Sequence, residues 1–408
     1  MLFNCLFSDI FLYICSPLKF LKKTGMIKTK LSNSGKDIFT LLSELTNDSK
    51  IINLAKISPY YSCSEELKNL AIKYLQKDCN HYAHVNGVFE LRESIANQIS
   101  DRFNLTYNPL TEVTITAGAT QAIYTAISSF ITEGDEVVLF EPAYNSYVPS
   151  IESNGGRPVF VQLKHPDYTI DWEAVQRIIT SRTKLIIINT PHNPTGALFT
   201  ENDIAQLQKI TNGTKINILS DEAFESIIFG KEKHFGILSN PTLAKKSIVI
   251  SSFGKTFNVP GWKIGYCIAP EKLMTQIRKR QHFQINSVNA PLQYALAEYL
   301  KNGFDKKELL KNFEENRKLF AEIFQDTPFD FKLTQSTYFQ LLSYKDIPSI
   351  SDLKDTELVQ KIMTDYGVAL FPMSVFYHDS VDHKMVGLNF ALNKQLLTDA
   401  AERLKKLE

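Results

Sequence analysis

Ser251-Ser252-Phe253-Gly254-Lys255-Thr256-Phe257-Asn258-Val259-Pro260-Gly261-Trp262-Lys263-Ile264-Gly265-Tyr266 is the stretch whose reading decides the fold. The run leading into it, Ile248-Val249-Ile250, is short and β-branched throughout, which predicts a buried strand. Small hydroxyl residues and a glycine follow, so the backbone can approach a ligand closely. Lys255 comes next, and Lys263 stands eight residues later. Gly254-Lys255-Thr256 has the look of the end of a nucleotide-binding P-loop. That motif requires a glycine five residues before Gly254, where Val249 sits in mid-strand, so a P-loop is excluded. A lysine at a strand end becomes a nucleophile once its amine is neutral, a state favoured by desolvation and a neighbouring cation. Two lysines around a turn are, by themselves, ordinary surface residues. Function has to be read from what accompanies them.

Upstream, short β-branched runs alternate with helical segments at residues 113–116, 137–140, 159–163, 185–189, 216–219 and 248–251. That alternation predicts an α/β unit, a three-layer arrangement with a mainly parallel sheet covered by helices on both faces. Ligands in such sheets bind beyond the carboxyl ends of the strands. After the first run comes Gly118-Ala119-Thr120-Gln121-Ala122, opening a helix whose free N–H groups and positive dipole end suit a phosphate. The second is followed by Glu141-Pro142-Ala143-Tyr144, and the fourth by Asn189-Thr190-Pro191-His192-Asn193-Pro194-Thr195-Gly196, a turn presenting Asn193. After the fifth stands Asp221-Glu222-Ala223-Phe224, and after the sixth Ser252 and Lys255. Each has an ordinary alternative: a turn, a packed aromatic or a helix cap. Their order and shared placement are what is specific.

Taken together, these motifs resemble the fold-type I pyridoxal-phosphate aminotransferases of class I/II, and within them the kynurenine and methionine aminotransferase group. The resemblance runs from about Lys36 to Leu407. It implies that Lys255 forms the Schiff base with pyridoxal 5'-phosphate and that Ser252 and Lys263 hold the phosphate. It likewise implies that Gly118, Ala119 and Thr120 form the phosphate turn, the last two donating amides, and that Tyr144 stacks on the ring and Asn193 bonds the ring hydroxyl. Asp221 pairs with the pyridine nitrogen, a charge-assisted bond typically worth roughly 1.5–3 kcal/mol. Tyr82, in Asn80-His81-Tyr82-Ala83, matches a tyrosine that reaches the phosphate of the neighbouring subunit, which implies a homodimer with a shared active site.

Three positions depart from the family pattern, all at the substrate end. Gly387, in His383-Lys384-Met385-Val386-Gly387-Leu388-Asn389-Phe390, stands where the family has an arginine for the substrate α-carboxylate. Phe224 replaces a tyrosine that bonds the cofactor's ring oxygen. Ile57, ahead of Ser58-Pro59, replaces a glycine. Lys384 and His383 are the candidates for a substitute cation, and Gly387 and Ile57 are expected to border one pocket. Ordinary α-amino acids are therefore expected to bind weakly.

The rest of the chain fits this frame. At 408 residues with a net charge of +1 and 44% apolar residues, nothing calls for nucleic acid or an acidic membrane as partner. Five cysteines without CxxC spacing suggest a reducing compartment rather than a disulfide framework or zinc site, and His81 and His84 are not expected to bind a metal. Residues 1–18 are apolar but short for a membrane span and poor as a signal peptide, so Met26 is read as the initiator and 1–25 as an unassigned extension, the alternative being a genuine N-terminal anchor. Residues 26–60 form a segment joining the small domain, 61–295 the large cofactor-binding domain and 296–408 a small α+β C-terminal domain. Helices are expected at 89–103, 306–324 and 396–407, with Ser64 and Asn393 as N-caps, and strands at 338–343 and 368–371. The expectation is a cytoplasmic, homodimeric aminotransferase moving an amino group between a methionine- or aromatic-like amino donor and a keto acid. A β-eliminating C–S lyase and a cofactor-binding regulatory paralogue share the same motifs.

Overall fold

The computed structural model of this chain describes residues 38–46 and 50–407. The expectations for residues 1–25 and Met26 fall outside them. Twelve strands are present among the described residues: β1 (Ile52–Asn53), β2 (Val113–Thr116), β3 (Glu136–Glu141), β4 (Arg157–Gln162), β5 (Thr183–Asn189), β6 (Asn217–Asp221), β7 (Ser247–Ser252), β8 (Gly265–Ile268), β9 (Phe339–Ser343), β10 (Val368–Ala369), β11 (Phe371–Pro372) and β12 (Met385–Asn389).

Seven of them form the central sheet in the order β2-β8-β7-β6-β5-β3-β4. Neighbours from β7 to β4 pair parallel, and β8 runs antiparallel to both β2 and β7. All six expected strands are in this sheet. The seventh, β8, was not expected: Gly-Tyr-Cys-Ile is too short to stand out beside the loop that carries Lys263. Because a strand presents successive side chains to opposite faces, Leu185 and Ile187 join one core while Ile186 and Ile188 join the other. The first core also takes Ala122, Ile123, Ala126 and Ile127 from the helix Gly118–Phe130. With both faces buried, the strand ends are where the sheet can offer polar groups to a ligand. The one expected strand that carried no candidate group, β4, lies at the sheet's edge.

Beyond the central sheet, β11, β12 and β9 form an antiparallel three-stranded sheet, and β1 pairs parallel with β10. The helices Phe89–Phe103 and Lys306–Phe324 have the expected bounds, whereas the last helix is Lys394–Leu404, shifted towards its Asn393 cap. The Ser64 hydroxyl accepts from the Leu67 amide, as an N-cap does.

Asn389, fully buried at the end of β12, holds the N-terminal segment in place. Its amide donates to the carbonyls of Lys56 (2.8 Å) and Ser58 (3.2 Å), and its Oδ1 accepts from the Ala391 amide at 2.8 Å. Truncation strands these buried groups, each costing about 1–3 kcal/mol. Asn389→Ala is therefore expected to lower the unfolding free energy by at least that much, seen as a lower urea midpoint with an unchanged m-value in equilibrium unfolding.

Candidate active site

Lys255 lies on the one-turn helix Phe253–Thr256 directly after β7. It opens into a cavity of about 320 Å³ whose lining includes Gly118, Ala119, Thr120, Tyr144, Asn193, Asp221, Phe224, Ser252 and Lys263. The chain thus brings together every expected site residue except Tyr82, whose side chain stands 85% exposed on a loop.

The phosphate-end geometry depends on two glycines. Gly118 has φ +79°, and a Cβ there would stand 3.3 Å from the Lys263 Nζ. At Gly265, the first residue of β8, a Cβ would meet the Ser251 carbonyl at 2.6 Å and the Ala119 amide at 3.0 Å. Small residues therefore let β8 pass directly beneath the start of the helix Gly118–Phe130, whose first N–H groups have no partner within the helix. The Thr120 hydroxyl lies 3.1 Å from that of Tyr144, tying the helix start to the loop after β3.

Asp221 ends β6 and is buried. Its carboxylate accepts from the Tyr147 hydroxyl at 2.7 Å and the Ala223 amide at 3.1 Å. Burial pushes the Asp221 carboxyl above its ordinary value, while those two hydrogen bonds and the charge of Lys255 pull the other way. Lys255 is shifted down to about 8, chiefly by desolvation and then by the Lys263 charge, with Asp221 opposing. The amine is thus less basic than an ordinary lysine, and the buried Asp221 lines the same cavity.

Three residues that the sequence reading passed over complete the site. Tyr338 donates its hydroxyl to the Ile57 carbonyl at 2.7 Å and accepts from Lys255 Nζ at 2.5 Å. Tyr147 fixes the Asp221 carboxylate as described. Asn189 donates to the Asp221 carbonyl at 2.9 Å, and its Oδ1 accepts from the Asn193 amide at 2.8 Å, so it anchors the Asn193 turn to β6. Tyr147 and Asn189 stand within the very stretches that carry Tyr144 and Asn193, which is the signal that could have found them. Nothing near Tyr338 in the sequence signals its role.

Phe224, buried at 3% exposure, lines the cavity with its ring against Tyr338 at 5.2 Å, and Lys255 Nζ lies 5.2 Å from its ring centre. Ile57 lines it as well. Gly387 does not, which corrects the expectation that the two border one pocket. It pairs with Phe371 across β11 and β12, and a Cβ on Gly387 would stand 2.1 Å from the Phe371 ring. The space a longer side chain would need is filled by that ring. The substitute cations are also corrected. Lys384 Nζ donates to the Leu353 carbonyl at 2.7 Å, and the His383 ring stacks on His165 at 5.1 Å. Neither is part of the cavity lining.

The residues fit pyridoxal 5'-phosphate. A cradle that any Cβ would fill stands at a helix start beside Lys263, a buried carboxylate suits a cationic ring nitrogen, and an amine of lowered basicity suits covalent attachment. Just past Asp221, ligand atoms of Glu222, Glu225 and His234 lie within 4.8 Å of one another. Their groups are engaged within the protein: Glu225 with Arg102 at 2.7 Å, Glu222 with the Ile237 amide at 2.9 Å and His234 with the Thr190 carbonyl at 2.9 Å.

Comparison with known proteins places the site in context. The family model for aminotransferases of class I and II matches residues 49–404. The chain is 35% identical over 381 residues to the methionine aminotransferase of Escherichia coli strain K12, covering 93% of this chain and 98% of that protein. It is 28% identical over 414 residues to a kynurenine–oxoglutarate transaminase of Dictyostelium discoideum, covering 92% and 95%. Among solved structures, an Escherichia coli protein reported to have a methionine aminotransferase function superposes with a TM-score of 0.89 at 34% identity, over 94% of this chain and 100% of that one. The N-succinyldiaminopimelate aminotransferase of Mycobacterium tuberculosis gives 0.88 at 30% identity, with the same coverage.

The Tyr338 hydroxyl commits its own proton to Ile57, so it can only accept from Lys255, which favours the charged amine. Tyr338→Phe is expected to move Lys255 further down from about 8. Acylation of Lys255 in the cofactor-free protein, followed by peptide mass mapping across the neutral to alkaline range, reads the midpoint. An unchanged or raised midpoint would show that the contact does not tune the amine.

Proposed function

The chain belongs to the class I and II aminotransferases, enzymes whose cofactor is pyridoxal 5'-phosphate, and from that premise we propose how its own residues divide the work. The observation that carries the reading is the convergence of Lys255, Asp221 and the Gly118 helix start on one cavity. When bound, the cofactor supplies an electron sink that acidifies the C–H bond on the amino-bearing carbon. Lys255 holds it covalently, then takes and returns that proton as general base, for which an amine of lowered basicity is suited. Asp221, oriented by Tyr147, keeps a proton on the ring nitrogen. Gly118, Ala119, Thr120, Ser252 and Lys263 would hold the phosphate, and Tyr144 and Asn193, the latter fixed by Asn189, would hold the ring.

The division of the chain into a large unit (61–295) and a small unit (296–408), to which the segment 26–60 adds, is part of the same proposal. The pairing of β1 with β10 supports the join. Tyr82, exposed and away from its own cavity, is the residue we propose to reach the cavity of a partner copy in a homodimer. The compartment we propose is the cytoplasm, consistent with Cys63, Cys79 and Cys267 standing unpaired. No helix among the described residues is long and apolar enough to cross a membrane. The donor side chain is apolar, like methionine or an aromatic residue, in keeping with the relatives and with Phe39, Phe224 and Phe339 in the cavity wall.

Borohydride reduction of the purified protein is expected to fix the cofactor to Lys255 and to no other lysine, by peptide mapping, and Lys255→Ala is expected to remain folded and take no label. Label on a different lysine overturns the assignment. Product analysis with an amino donor and a carbonyl acceptor is expected to show an exchanged amino group. Pyruvate with free thiol would show elimination, and no product from unreduced protein that carries the cofactor would show a binding protein.

A further inference from the structure

The cavity has two unlike walls. One is polar and carries Lys263 beside the start of the helix Gly118–Phe130. The other is apolar, made by Phe39, Ile57, Phe224 and Phe339. These rings are backed by more of the same: Phe371 packs edge-on against both Phe39 (5.4 Å) and Phe339 (5.8 Å), and Phe339 lies 6.1 Å from Phe224. Among the described residues the lining holds two cations, Lys255 and Lys263. The first is committed to the reacting nitrogen and the second to the helix start. An α-amino acid docked at Lys255 would have to place its carboxylate without a guanidinium or ammonium of its own, in a cavity whose other wall is phenyl rings. Burying a charge without a partner is strongly unfavourable.

Resting on the aminotransferase reading above, we infer that this site takes a primary amine on an apolar or aromatic chain, with no carboxylate on the amino-bearing carbon. The reaction balances without an outside oxidant. The donor carbon loses its bond to nitrogen and two electrons, takes an oxygen from water and becomes an aldehyde. A carbonyl acceptor of the same apolar class loses its oxygen as water, gains the nitrogen and takes up the two electrons. Donor and acceptor occupy the one cavity in turn, which is why the acceptor shares the donor's character. Lys255 moves the proton in both halves.

Matched pairs that differ only by the carboxylate test this on the unmodified holoenzyme: 2-phenylethylamine against phenylalanine, and 3-(methylthio)propylamine against methionine. The readouts are carbonyl product released in a single turnover by stoichiometric enzyme, and the ligand-induced rise in melting temperature, which needs no turnover. The amine of each pair is expected to react at least tenfold faster and to raise the melting temperature more at equal concentration. Equal or better performance by the amino acids in both readouts overturns the inference while leaving transamination standing. If borohydride fixes nothing to Lys255, the aminotransferase reading falls and this inference with it. Pairing Gly387→Arg with Phe371→Ala, which clears the space the ring fills, is expected to shift preference towards the amino acids; a folded double variant that keeps the amine preference counts against the inference.

Discussion

A single phenolic hydroxyl joins three segments far apart in the chain. Tyr338, at the edge of the three-stranded sheet, accepts from Lys255 at the end of the central sheet and donates to Ile57 in the N-terminal segment. A hydrogen bond with a charged partner is typically worth about 1.5–3 kcal/mol, enough to fix the amine's position within a low-dielectric cavity. Burial holds the Tyr338 phenol far above its ordinary range, so it keeps its proton and the direction of both bonds is set. The same contact makes the amine's basicity depend on how the two sheets sit together. Asn389 reinforces this by binding the carbonyls on either side of Ile57.

The polar and apolar halves of the cavity follow from different parts of the fold. The central sheet supplies the polar half, because a strand buried on both faces can present charged groups only at its end. The apolar half comes from β9, the N-terminal helix Ile38–Leu45 and the loop after β6. There, one small residue has a large consequence: Gly387 leaves room for the Phe371 ring, and that ring supports Phe39 and Phe339. The absence of a side chain at Gly387 thus appears in the cavity wall as aromatic surface and not as space.

Much of the fold and the cofactor end of the site was legible in the sequence. The six β-branched runs, the helix bounds at Phe89–Phe103 and Lys306–Phe324, and the Ser64 cap rest on local patterns: short runs of β-branched residues, helical spacing and a side chain that can bond its own backbone. The candidates after each strand were legible for the same reason, since a parallel sheet aligns the carboxyl ends of successive strands and chain order alone then predicts convergence. Strand β8 was missed because four residues starting with glycine carry too little pattern, and its place between β2 and β7 is decided by packing.

By itself, then, the sequence determined an α/β sheet with Lys255, Asp221, Asn193 and the Gly118 turn at one end, because each of these depends on its near neighbours in the chain. It also exposed the departures at Gly387, Phe224 and Ile57. What those departures mean was decided by the tertiary structure alone. Lys384 and His383 stand close to Gly387 in sequence, yet a bond to the Leu353 carbonyl and a stack on His165 hold them elsewhere. Phe371 fills the place beside Gly387, and Tyr338 reaches Lys255 across 83 residues. Contacts of that kind depend on how separate elements pack, and no local periodicity records them.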